Sequence, residues 1–182
     1  VQLAQRLSDH ALGFTNKESF LDSDFEGMKV SEKLLEQTGI IGEKIEIGSF
    51  EHISASFVGS YIHAGNKIAS IVGFSENFDN ASDVGKDLSM QIAAMNPVAI
   101  DENGVSQEVI AKEIEIAKDQ LRQEGKPEEM LDNIAKGKLK KFFKENTLIN
   151  QQFIKDSKIS ISQYINGFSE SVEVTDFSRV GI

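Results

Sequence analysis

The chain contains no cysteine. That excludes a disulfide framework, a thiol nucleophile and thiolate zinc sites. Its three histidines, His10, His52 and His63, lie far apart in sequence, which argues against a zinc enzyme. Positive charge is scarce: 19 Lys and Arg face 29 Asp and Glu, for a formal net charge of −10. A general nucleic-acid binder needs the opposite balance, because phosphate contacts supply most of its affinity. A polyanion is also repelled by anionic membrane surfaces. No apolar run reaches the roughly 18 residues of a membrane span, and no basic segment leads into an apolar one as in a signal peptide. What remains is 182 residues, 40% of them hydrophobic, enough for one to one and a half domains with a real core. Composition therefore predicts an acidic globular protein of a reducing compartment, the cytoplasm.

The chain opens at Val1 rather than Met and enters a helical pattern at once, with Leu3, Leu7, Ala11 and Phe14 on one face. This predicts a helix over 2–14 and a missing upstream segment. Residues 15–27 read as an acidic loop or irregular helix. Ser31 is a candidate N-cap for a helix over 32–37, with Gly39 as its stop. Residues 44–53 alternate around Ile45 and Ile47, a strand pattern. Two strand-like runs, 57–63 and 67–74, flank Ala64-Gly65-Asn66 and give the strongest hairpin signal in the chain. Ser82-Asp83 is expected to cap a helix that Asn96-Pro97 ends, with Leu88, Ile92 and Met95 on one face. Residues 106–124 carry Ile110, Ile114, Ala117 and Leu121 in coiled-coil spacing. After the break at Gly125-Lys126-Pro127, residues 128–143 carry Leu131, Ile134, Ala135, Leu139 and Phe142. The pair reads as an antiparallel helical hairpin too polar to lie inside the body. A short helix near 160–166 and a last alternating segment, 172–180, complete the chain; the latter is a third strand for the hairpin's sheet.

Few residues carry chemistry. No phosphate-binding Gly-Lys-Ser/Thr and no Gly-x-Ser-x-Gly elbow occurs. Ser60 and His63 sit three apart in a strand and face opposite sides, which argues against a triad. The acidic pairs Asp22/Asp24, Glu43/Glu46, Asp101/Glu102 and Glu128/Glu129 read as solvated faces; the last also suits its helix N-terminus. Lys136, Lys138, Lys140, Lys141 and Lys144 form the local basic patch, either a solvated face matched to a helix C-terminus or a surface for an acidic partner. His63, beside the predicted turn, is either an ordinary hairpin-tip residue or a probe that inserts into a partner, since imidazole donates, accepts and stacks.

Several segments in order resemble the core of bacterial translation elongation factor Ts. They are Ile40-Ile41-Gly42-Glu43-Lys44-Ile45, Gly59-Ser60-Tyr61-Ile62-His63, residues 89–97 (Ser-Met-Gln-Ile-Ala-Ala-Met-Asn-Pro), Gly125-Lys126-Pro127, residues 137–142 and residues 148–156. Together they span nearly the whole chain, and the first three are specific in combination. The resemblance implies an α+β fold: two subdomains with small antiparallel three-stranded sheets packed with helices, and a protruding antiparallel helical hairpin. It divides the chain into a partial first subdomain (1–54), a second subdomain (55–105 and 146–182) and an inserted hairpin module (106–145). The family's N-terminal ubiquitin-associated-like domain, the first strands of its first subdomain and its Thr-Asp-Phe-Val-Ala exchange motif have no counterpart here. Residues 1–14 resemble the helix after that motif, and Thr175-Asp176-Phe177 matches the last strand instead.

The resemblance further implies a non-enzymatic guanine-nucleotide exchange factor that binds the GTPase elongation factor Tu and expels GDP, with no cofactor or metal. It implies no direct nucleic-acid or membrane contact. Carried over residue by residue, Ile41, Gly42 and His63 match positions that touch the nucleotide domain of the GTPase. Ile154 and Lys155 match a contact segment after the hairpin, although that position is usually apolar in the family and Lys155 is not. The hairpin would reach a second surface of the same domain, and the sheet of the second subdomain would dock elsewhere on the partner. Without its sheet neighbours, the strand expected over 44–53 would expose an edge through which the chain pairs as a homodimer. The competing readings are a helical-hairpin adaptor without exchange activity and a small hydrolase built on His63.

Overall fold

A computed structural model describes residues 2–182. Val1, where the resemblance begins, lies outside the described residues. The fold is α+β, built from helices and small antiparallel sheets. It separates into two compact units that divide between His52 and Ile53.

The first unit holds helices α1 (Gln2–Ala11), α2 (Lys17–Asp22) and α3 (Val30–Ile41), with a minimal ladder of β1 (Asp24–Phe25) and β2 (Met28–Lys29) between α2 and α3. Leu7, Phe20, Phe25, Val30 and Leu34 form its core. His10 packs its ring against Phe14, Phe20 and Phe25, and its Nε2 lies 2.9 Å from Ser23 Oγ. Helix α3 begins earlier and ends later than the sequence pattern indicates. The Glu32 carboxylate accepts from the Lys29 N–H at 2.9 Å, so the helix starts at Val30 and Ser31 lies inside it. Gly39 is helical too. The stop is Gly42, which adopts φ 82° and donates its N–H to Thr38 O, the left-handed conformation that glycine reaches without steric cost.

Residues 44–53 form no strand, contrary to their alternating pattern. They join no ladder; Ile45, Ile47 and Phe50 pack against the core of the first unit. The Ile45 N–H donates to Thr38 Oγ1 at 3.0 Å, and Lys17 Nζ donates to Gly48 O at 3.2 Å. Alternation reports that one side is buried, and here side-chain caps and a lysine replace a ladder. The sheet edge on which self-association was expected is therefore not formed by this segment.

The second unit centres on a three-stranded antiparallel sheet in the order β3 (Phe57–Ile62), β4 (Ile68–Phe74), β7 (Val174–Gly181). The hairpin and its third strand are those the sequence predicts. Helix α4 (Ala81–Met95) packs on β3 and β4 through Val84, Leu88 and Ile92. Gly59 and Gly85 make this approach possible. A Cβ on Gly59 would lie 2.5 Å from the Gly85 backbone. Asn80, at φ 65°, caps α4 rather than Ser82 or Asp83, and Met95 is 46% exposed rather than part of the buried face. The left-handed Asn80 turns the chain into the helix two residues early, and Asn96 at φ 45° ends it.

Helices α5 (Gln107–Gln123) and α6 (Glu128–Asn146) form the predicted helical hairpin. The Ser106 hydroxyl caps α5 by accepting from the Val109 N–H, and Pro127 stands just before α6. Ala117, Leu121, Leu131 and Ala135 are buried between the two helices. Lys118 reaches Asp132 across the pair at 2.9 Å, and Arg122 Nε donates to Glu128 at 2.8 Å near the tip. Past α6 come a small ladder of β5 (Gln152–Phe153) with β6 (Asp156–Ser160), then α7 (Ile161–Asn166), whose first turn is closed by a capping box of Ser160 and Gln163.

Candidate functional site

The five positions singled out in the sequence occupy three exposed turns. Ile41 and Gly42 end α3 in the first unit. Ile41 is 57% exposed, and it also borders an apolar cavity of about 520 Å³ whose lining includes Leu3, Leu7, Leu34 and Phe50. Gly42 is the helix stop, so its backbone is presented at the turn with no Cβ to cover it.

His63 follows β3 at the tip of the β3–β4 hairpin. Its N–H donates to Ile68 O at 2.8 Å and its carbonyl accepts from Asn66 N–H at 2.9 Å, so the backbone closes a tight turn around Ala64-Gly65. Gly65 at φ 90° and Asn66 at φ 56° supply the left-handed conformations this turn requires. The side chain is exposed. Tyr61, two residues earlier on the same face of the strand, places its hydroxyl 3.0 Å from His63 Nδ1. That contact orients the ring and leaves Nε2 with no protein partner among the described residues. Ile62, 65% exposed, falls on the opposite face of the strand.

Ile154 and Lys155 form the turn between β5 and β6, where Phe153 pairs with Asp156. Ile154 is 41% exposed. Lys155 Nζ lies 2.5 Å from Asp87 Oδ1 on α4, and Asp87 Oδ2 accepts from the Tyr164 hydroxyl at 2.9 Å. Burial, reinforced by the hydrogen bond to Asp87, pushes the Tyr164 phenol above its ordinary pKa of about 10. The Ile154 N–H donates to Gln91 Oε1 at 2.9 Å, so the turn is bonded to α4 by both backbone and side chain. Among the described residues no hydrogen bond or ion pair links His63 to Ile154 or Lys155.

The sequence reading passed over Gln91, Gln151, Asp87 and Tyr164, which support the Ile154–Lys155 turn. One signal was present for Gln91: a glutamine three residues after Leu88 falls in the inward stripe of α4, where a polar side chain needs buried partners. The acidic pairs have structural duties or solvent. The Asp101 carboxylate accepts from the N–H groups of Asn103 and Gly104, and Glu128 binds Arg122. Within the basic patch, Lys138 contacts Gln120 and Glu124, and Lys141 contacts Glu145.

The family described as elongation factor TS matches residues 1–182, the whole chain. The chain belongs to the elongation factor Ts family. Its relatives include elongation factor Ts of Christiangramia forsetii, 55% identical over 182 residues, and that of Flavobacterium psychrophilum, 53% identical over the same length. Each alignment covers 100% of this chain and 66% of the relative. Elongation factor Ts of Porphyromonas gingivalis is 40% identical, covering 98% of this chain and 66% of the relative. The chain thus spans just under two-thirds of the length of these family members. No helix among the described residues is long and apolar enough to cross a membrane.

Proposed function

We propose that this chain is a guanine-nucleotide exchange factor for the translation GTPase elongation factor Tu, acting in the cytoplasm without catalysing bond formation and without cofactor or metal. The observation that carries this reading is the family match over the whole chain. The exposed, oriented His63 at a rigid hairpin tip supports it, because the imidazole is held ready to meet a partner.

The contact residues in this reading are Ile41, Gly42, His63, Ile154 and Lys155. Exposed isoleucines at the first and last turns offer apolar surface to a partner. Gly42 permits close backbone approach. His63 offers a free ring nitrogen. The hairpin α5–α6 supplies a second surface, and the β3–β4–β7 sheet a third.

Exchange by such a surface is differential binding. A chain that binds the nucleotide-free GTPase more tightly than the GDP-bound form weakens GDP by the same factor, by thermodynamic linkage. The work is done when docking moves groups that hold the phosphates and Mg²⁺. Rigidity at His63 matters because a flexible probe would lose entropy on insertion and return less of its contact energy.

The test is the release rate of fluorescent GDP from elongation factor Tu, titrated with the chain and with a His63→Ala variant. The expected result is faster release with the chain, reduced about five- to tenfold in the variant. Saturable binding without faster release would identify a docking core that lacks exchange activity. Neither faster release nor binding would overturn the exchange reading and bring the adaptor reading forward.

A further inference from the structure

Gln91 is fully buried in α4, and both ends of its amide are used. Its Oε1 accepts from the Ile154 N–H at 2.9 Å, while Nε2 donates to Gln152 O at 3.1 Å and to Gln151 Oε1 at 3.1 Å. The carbonyl of residue 152 and the N–H of residue 154 face the same side of an extended chain. They are the two groups that a neighbouring strand would satisfy. A single side-chain amide stands in for that strand and closes the free edge of β5 next to the turn.

Asp87 lies one helical turn before Gln91, on the same face of α4. It takes Lys155 by its Nζ and Tyr164 by its hydroxyl. Helix α4 therefore holds the turn twice, Ile154 by its backbone and Lys155 by its side chain. Gln151, also buried, passes the arrangement to the end of the helical hairpin by donating from Nε2 to Glu145 O at 3.1 Å. An apolar side chain at position 91 would fill the same volume. What the amide adds is a fixed phase for the turn, so that a partly exposed isoleucine points in one direction.

We propose that Gln91 and Asp87 are positioning residues that set Ile154 and Lys155 for partner contact; this rests on the reading of that turn as a contact surface. Neither touches the partner. Both act through the turn.

The test is a double-mutant cycle read by the chain concentration that half-saturates GDP release from elongation factor Tu. Gln91→Met keeps the volume and removes the amide. The expected result is a rise of about tenfold for Gln91→Met and a similar rise for Ile154→Ala, with the double variant no worse than the larger single. Native-state hydrogen exchange should show the Ile154 amide losing protection in Gln91→Met while the Leu88 and Ile92 amides keep theirs. A residue that merely stabilises the fold would give effects that multiply, because it changes how much protein is folded rather than how the turn points. Multiplying effects, or no effect of Gln91→Met, overturn the proposal and leave the contact reading standing. If neither Ile154→Ala nor Lys155→Ala changes half-saturation, the contact reading falls and the proposal with it. Should circular dichroism show Gln91→Met unfolded, the cycle of Asp87→Asn with Lys155→Ala decides by the same criterion, since Asp87 lies at the surface edge and Asn retains the Tyr164 hydrogen bond.

Discussion

The phenol of Tyr164 stacks on Phe153 with ring centroids 4.2 Å apart, meets Phe168 edge-on and donates to Asp87. Burial, first, and the bond to Asp87 keep it protonated to a higher pH than the free side chain, whose pKa is about 10. The folded form thus holds a proton that the unfolded chain releases. The resulting stabilisation is complete below pH about 10 and is lost as pH rises above it. Melting temperature measured by calorimetry is expected to fall more steeply above that pH in the unaltered chain than in Tyr164→Phe. The opposite design serves His63, whose ring is anchored at Nδ1 and open at Nε2. Because the side chain is exposed, His63→Ala is expected to slow GDP release while leaving thermal stability within about 0.5 kcal/mol. At this scale the sequence was informative about His63, since the Ala-Gly-Asn turn located it. It was silent about what Gln91 holds, because the partners of a buried amide come from residues some 60 positions later.

The crossing of α4 over β3 depends on two glycines meeting backbone to backbone. Gly59→Ala forces the helix outward or breaks the ladder, and overpacking of this kind costs about 3 kcal/mol. Denaturant unfolding of that variant is expected to show a loss of that size; an unchanged midpoint would mean that α4 shifts freely. The elements that were legible are those with local signals: the β3–β4 hairpin with its turn residues, and the α5–α6 pair with its seam and its Gly-Lys-Pro break. Residues 44–53 misled because burial of alternate side chains does not require a paired backbone. The true bounds of α3 and α4 were set by Glu32, Gly42 and Asn80, through cap geometry that apolar periodicity does not report.

For the whole molecule, the net charge of −10 and the absence of cysteine excluded several functions but named none. The family came from ordered motifs, and those motifs turn out to be structural junctions as well as surface. Gly42 stops a helix, Gly59 admits one, and Gln91 binds a strand edge. Exposed contact candidates hang from each: Ile41 beside Gly42, His63 beyond Gly59, Ile154 beside Gln91. In the exchange account, each junction fixes the contact residue beside it, within its own unit, firmly enough to favour one state of a GTPase over another. The preference must appear in both directions of the linkage cycle. The most direct measurement is the affinity of this chain for elongation factor Tu by calorimetry, once nucleotide-free and once saturated with GDP and Mg²⁺. The account predicts tighter binding to the nucleotide-free form, by the same factor as the chain weakens GDP. Equal affinity for the two forms would contradict it.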